Sequence, residues 1–358
     1  MIKRIAFLAA VIMMLQLNTA FAAGDLSEWD YVLPLKVSWG YDEHFQGYSV
    51  VEKDGKRGLV NPDGELLCDV KWKMIEGVTP WLFHAADEQT GCTYDLNGNE
   101  IIQGVVDGIR YETFCRVYNA AGEEGLITVR GDVLIDLTSE APEFQVYKKD
   151  DIYIVEIDEK RGVIDQAGYV VVYPQYHSLQ YLSRTRMAVQ KDEGGLWGLI
   201  DQHGNVILEP RYDRIVSQSE GYIRFKQNGY YGFMDLDGNV MIEPNLYNAG
   251  DFSCGLAYVG TLSYYGEDFE YHPSLCGFID TSGRVVIAPQ REFVGGFSEG
   301  YSAVMNDGLY GYINMDGELI CDLIWDEARA FENGRAQVYK DGKVGYIDTA
   351  GNLIVPLQ

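Results

Sequence analysis

One arrangement of apolar and polar positions recurs along almost the whole chain. A glycine is followed by two apolar residues, Asp or Asn, two variable residues, a second glycine, one spacer and an apolar run, as in Gly198-Leu199-Ile200-Asp201-Gln202-His203-Gly204 leading into Val206-Ile207-Leu208. The second glycines are Gly64, Gly98, Gly131, Gly168, Gly204, Gly238, Gly283, Gly317 and Gly351, so the period stays near 34 residues apart from one interval of 45. The copies at Asp95-Leu96-Asn97-Gly98 and Thr128-Val129-Arg130-Gly131 keep the phase and have lost most of the signature. A fixed period of this length marks a repeat architecture in which neighbouring units share their core.

Asp or Asn at the first turn position and Gly at the fourth suit a type I turn closing into a left-handed glycine, so each copy predicts a β-hairpin. The arms are β-branched and aromatic, and several end in proline (Pro210, Pro244, Pro289, Pro356), which stops ladder pairing. A preceding strand is marked by Gly47-Tyr48-Ser49-Val50, Gly300-Tyr301-Ser302-Ala303-Val304 and Gly334-Arg335-Ala336-Gln337-Val338, then by turns such as Asn306-Asp307-Gly308. Three strands and a linker fill the period, whereas a four-stranded propeller blade would take roughly 40 residues. The expected fold is all-β: nine three-stranded units in a tandem, solenoid-like or superhelical array, with a closed, propeller-like toroid as the alternative. Strand glycines that follow Arg57, Arg161, Trp197, Tyr231 or Tyr310 are expected to be covered by aromatic rings, which gives the 26 tyrosines structural work.

The aromatic-Gly-aromatic-Ile-Asp-x-x-Gly hairpin, the aromatic-Asp that follows it (Tyr212-Asp213, Trp325-Asp326) and the Phe-x-x-Gly lead (Phe252, Phe297, Phe331) resemble the bacterial WG repeat family over about residues 38–358. Only Trp197 occupies the tryptophan position that names the family. The resemblance implies an extracytoplasmic or surface-associated β-repeat protein that binds something.

The N-terminus reads differently. Lys3 and Arg4, the apolar run Ile5 to Leu17 and the triplet Ala20-Phe21-Ala22 form a secretory signal peptide over 1–22, with a run of about 13 apolar residues against the ~20 a membrane span needs. Residues 23–37 are a lead-in and 38–358 the array. The predicted product is secreted or cell-surface, with no membrane insertion after signal removal. With 28 Lys and Arg against 54 Asp and Glu the net charge is −26, which argues against nucleic acid and anionic membranes as partners. The six cysteines contain no C-x-x-C and read as small buried hydrophobes, with one pair, Cys254 and Cys276, placed to close a disulfide.

Catalytic motifs fare poorly against the period. Gly296-Phe297-Ser298-Glu299-Gly300 fits a nucleophile elbow, yet it coincides with the repeated Phe-x-x-Gly lead. Asp235-Leu236-Asp237-Gly238-Asn239 with Glu243 resembles a calcium loop, but sister copies hold Gln202, Thr281 or Pro62 at the second position, so turn chemistry explains it better. No cofactor loop or metal-ligand spacing appears. The long interval contains an insertion over 261–271, TLSYYGEDFEY, whose Tyr264, Tyr265, Phe269 and Tyr271 are the candidate binding residues. The expected function is non-catalytic: an exported scaffold binding cell-envelope polysaccharide or a protein partner, with a carboxylate-based glycan hydrolase as the alternative.

Overall fold

The computed structural model describes residues 29–36, 45–110, 113–140, 143–265, 271–272 and 274–358. The segment read as a signal peptide, residues 23–28 and 37 of the segment read as a lead-in, and Phe269 lie outside the described residues. Among the described residues the strands form nine four-stranded antiparallel sheets, each a meander taken in sequence order, and one two-stranded hairpin. The nine sheets match the nine repeats, and they divide into two compact units, Met1–Pro174 and Gln175–Gln358.

Each sheet has a fourth strand that the three-strand expectation lacked, and the reason is the economy of the turns. In the sixth sheet the strands Arg214–Ser219, Tyr222–Gln227, Tyr230–Asp235 and Val240–Leu246 are joined first by Glu220-Gly221 and then by Asn228-Gly229. All four of these turn residues have positive φ, which identifies two-residue type I′ turns. The presumed linker is therefore a strand, and a single residue, Asp213, separates it from the outer strand of the fifth sheet, Val206–Tyr212. The first sheet likewise takes its first strand, Tyr31–Pro34, from the segment read as a lead-in.

The signature turn behaves as expected. At Asp235 the carboxylate Oδ1 accepts the backbone N–H groups of Asp237 and Asn239 at 2.9 and 2.8 Å, while Gly238 N donates to Asp235 O at 3.2 Å. Asn61, Asp95, Thr128, Asp201, Asp280, Asn314 and Asp348 bind the second and fourth residues after them in the same way. The second glycine needs its φ near +80°, and it also touches the preceding sheet: a Cβ on Gly238 would sit 2.6 Å from Leu208 Cγ. The side chain at the first turn position thus replaces water on backbone donors, and the glycine lets consecutive sheets close up.

The glycines inside third strands are covered differently from expectation. A Cβ on Gly162 or Gly198 would meet the carbonyl oxygen of Val172 or Leu208 at 2.5 Å, followed by the ring of Pro174 or Pro210, because the outer strand bulges across the glycine. An aromatic cover is found at Gly232, where Phe225 Cζ lies 2.8 Å from the built Cβ.

Between sheets lie apolar clusters. Within Gln175–Gln358 they are built around Phe225, Phe233, Phe252, Phe278, Phe297 and Phe331, all almost fully buried. Within Met1–Pro174, Arg130 threads between rings, its guanidinium 3.7 Å from the Trp81 ring centre and 4.0 Å from that of Tyr169, with Nε donating to Ala167 O at 3.0 Å. That one side chain ties the turns of two successive sheets to the sheet before them.

Candidate functional site

The strands of each sheet have two ends, and the insertion marks one of them. In the seventh sheet the turn between the second strand, Leu256–Gly260, and the third, Cys276–Asp280, is replaced by the insertion. It forms its own hairpin, with Tyr264 opposite His272 and Tyr265 opposite Tyr271. Its base is closed by Thr261 N to Leu275 O at 2.9 Å, Leu275 N to Thr261 Oγ1 at 3.0 Å and Ser274 Oγ to Thr261 O at 2.6 Å. Of the candidate binding residues, Tyr264, Tyr265 and Tyr271 are therefore on this hairpin, and Phe269 lies outside the described residues.

The expected disulfide is not formed. Cys276 opposes Gly260, whereas Cys254 sits in the turn before Leu256, at the other end of the strand. Four strand residues at ~3.3 Å each separate them by more than ~13 Å, and a bridge needs Cα atoms within ~7 Å. Both thiols are free, and polar closure at Thr261 and Ser274 holds the hairpin instead. Of the six cysteines read as small buried hydrophobes, Cys68, Cys92 and Cys115 are buried, Cys276 and Cys321 are half-buried and Cys254 is exposed; burial pushes the Cys68 and Cys92 thiols up to about 11.

The same strand end in neighbouring sheets follows a rule. In the sixth, eighth and ninth sheets the single residue before the first strand is an acid that caps the second-to-third-strand turn: Asp213 Oδ2 accepts Gly229 N at 3.2 Å, Glu292 Oε2 accepts Asp307 N at 3.1 Å and Asp326 Oδ2 accepts Asp341 N at 2.7 Å, whereas Lys73 and His177 stand before the second and fifth sheets. In the seventh sheet that turn is gone, and Tyr247 stands at the joint in place of the acid. Tyr247 is 47% exposed and its ring lies 5.1 Å from that of Tyr230, tilted by 55°. On the other side of the insertion, exposed Phe293 faces Tyr310 at 5.9 Å, next to exposed Leu309. An aromatic rim therefore flanks the inserted hairpin on both sides. Sequence reading missed Tyr230, Tyr247 and Phe293; the replacement of Asp or Glu at position 247 was the available signal.

The motifs that imitate catalysis have other partners. Ser298 Oγ donates to Phe331 O at 2.7 Å, Ser219 Oγ to Phe252 O at 2.8 Å and Ser253 Oγ to Phe297 O. Beside it, Glu299 accepts Asn333 N and Gly334 N, both at 2.8 Å, as Glu220 accepts Cys254 N and Gly255 N at 2.7 and 2.9 Å. The Ser-Glu-Gly segment is a clasp between successive sheets. The calcium-like loop is similarly spoken for: Asp235 binds its own turn, and the Asn239 side chain foremost holds its carboxyl below the usual range. Among the described residues no group of three or more His, Cys, Asp or Glu is arranged to hold a metal ion.

These features define a class, a tandem β-sheet repeat scaffold. The WG containing repeat model matches residues 197–231, 231–261, 277–310 and 310–343, and the gap in the matches falls on the inserted hairpin. Over residues 197–343 the chain is similar to the WG repeat family. No curated protein matches it in sequence. Similar solved structures include a eukaryotic initiation factor (10% identity, 87% of this chain and 95% of that one, TM-score 0.42). BamB from Moraxella catarrhalis gives 12% identity over 89% of this chain and 98% of that one, TM-score 0.32, and Kluyveromyces lactis Hsv2 gives 10%, 69%, 94% and 0.36. Likenesses of that degree carry no functional argument.

Proposed function

We propose that the protein is an exported, non-catalytic repeat scaffold whose aromatic rim binds cell-envelope polysaccharide or a protein partner. The observation that carries this reading is Tyr247: the joints before the sixth, eighth and ninth sheets hold a turn-capping acid, whereas the joint before the seventh, which bears the insertion, holds Tyr247, whose ring is exposed against Tyr230. Tyrosines with an apolar face and a hydroxyl edge suit a surface that is half wet, and paired rings suit the flat apolar faces of sugars. Export rests on the signal-peptide pattern at 1–22.

The test is a glycan array and cell-envelope pull-down with the purified protein, alongside Tyr230→Ala/Tyr247→Ala. Retention that the double variant weakens tenfold or more supports the reading. Equal retention of both proteins removes the rim from it, and recovery of the native protein only in the cytoplasmic fraction removes export.

A further inference from the structure

A second surface lies at the opposite ends of these strands. In a strand with one buried face, apolar and polar residues alternate. The outer strands of the last five sheets break that rule just after the signature turn. The second residue after the turn glycine is apolar and exposed in all five, as Val206, Val240, Val285, Leu319 and Leu353, with exposures of 38–53%. The third is also apolar and exposed in three, as Met241, Val286 and Ile354. The fifth, on the same strand face as the third, is an exposed carboxylate in Glu209, Glu243 and Asp322.

These positions form one row. Gly238 packs on Leu208, Gly283 on Ile242, Gly317 on Ile287 and Gly351 on Ile320, so each signature turn rests on the outer strand of the preceding sheet and the apolar positions follow one another at the sheet spacing, roughly 10 Å. Prolines at the sixth position, Pro210, Pro244 and Pro289, keep the outer edge from accepting an added strand along its length. An occupant must therefore cross the strands. Exposed apolar rows of this extent mark interaction sites.

We propose that this row docks an extended, basic segment of another protein that presents an apolar side chain at every third residue. A polyproline II helix repeats every three residues with a rise of ~3.1 Å each, close to the sheet spacing, and needs no edge hydrogen bonds. Charge selects the partner: the chain carries −26, and a second copy would bring carboxylates against Glu209, Glu243 and Asp322. A basic segment answers those acids while its apolar residues cover the row. The rim at Tyr230 and Tyr247 takes no part.

The probe is a fluorescent peptide of five Leu-Pro-Lys repeats, titrated by anisotropy against the purified protein, with Ser-Pro-Lys and Leu-Pro-Glu peptides beside it. Expected is binding of the first peptide at least tenfold tighter than of either control. Val240→Ser/Val285→Ser/Leu319→Ser should lose at least tenfold in affinity with an unchanged circular dichroism spectrum and melting temperature. The variant Glu209→Gln/Glu243→Gln/Asp322→Asn should bind more weakly and with a shallower salt dependence, which reads the row even if the serine variant folds poorly. Absence of binding, equal binding of the controls, or affinity indifferent to both variants overturns the proposal. A dimer in sedimentation velocity that the serine variant dissolves assigns the row to a second copy and overturns it too.

Discussion

The turn glycines separate two physical demands that usually travel together. Gly342 and Gly351 both lie in the ninth sheet with φ of +73° and +79°, so a Cβ at either costs the left-handed penalty of about 1–2 kcal/mol. At Gly342 a Cβ would meet nothing within 4 Å. At Gly351 it would fall on the Ile320 carbonyl oxygen of the eighth sheet, with Cys321 Cβ at 3.0 Å, and backbone cannot step aside as a side-chain end can. Overpacking of that kind adds about 1–3 kcal/mol. Gly351→Ala should therefore destabilise the last sheet by about 2 kcal/mol more than Gly342→Ala. Native-state hydrogen exchange of the strand Lys343–Asp348 reads that difference as about 30-fold faster exchange, each tenfold being ~1.4 kcal/mol. Urea unfolding followed by the fluorescence of buried Trp325, at the end of the outer strand of the eighth sheet, gives a second reading. Exchange rates that agree within about threefold for the two variants would refute the reasoning, leaving φ as the only demand on Gly351.

Three further outcomes are expected. Ser298→Ala should cost about 1 kcal/mol through the lost bond to Phe331 O and leave any ester hydrolysis by the protein unchanged; a loss of activity on substitution would restore the nucleophile reading. Arg130→Ala should lower stability by about 1–2 kcal/mol in chemical denaturation, since both rings of the sandwich and the Ala167 carbonyl lose their cation, and Arg130→Lys should recover only part of it. The Asp280 carboxyl is held down to about 2 by the Ser282 hydroxyl first, then by the Arg284 and Ser282 backbone N–H groups and the Arg284 guanidinium. Because this is below the unfolded value near ~3.9, its stabilisation is complete above that value and is lost as pH falls through about 2. Melting temperatures taken from pH 5 to pH 2 should drop less steeply in Asp280→Asn than in the native protein, and coincident slopes would count against the turn carboxylate as an acid-sensitive element.

The period, the nine units and the signature turn were legible because each rests on chemistry at a fixed position: an Asx side chain over two N–H groups and a glycine with positive φ. The fourth strand was hidden. Arg214–Ser219 has no clean alternation of apolar and polar residues, and two-residue type I′ turns free enough chain for a strand where a linker had been assigned. The Cys254–Cys276 pairing failed because closeness to an insertion in sequence says nothing about which end of a strand a residue occupies. The exposed row was not read from the sequence, where Val285-Val286-Ile287 passed as an ordinary hairpin arm; its signal was three successive apolar residues, which a strand with one buried face cannot hide together. Tyr247 needed the alignment of the joints with the turns they cap, a relation between residues about 15 apart that only the sheet brings together.

The one-residue joints also bear on how the chain folds. Every sheet is completed by a contiguous stretch of sequence, and apart from residues 35–48 in the first sheet and the insertion in the seventh, each strand pairs with a neighbour closed by a short turn, so most ladders demand no long loop closure. All-β proteins usually fold slowly because distant segments must find each other before pairing is rewarded. Here a sheet can close as soon as its last strand leaves the ribosome or a translocation channel, and it then presents an apolar face to the next. Growth from the N-terminus, one sheet at a time, is built into the connectivity, and a unit can be added to or removed from the end of the array without rewiring those that precede it.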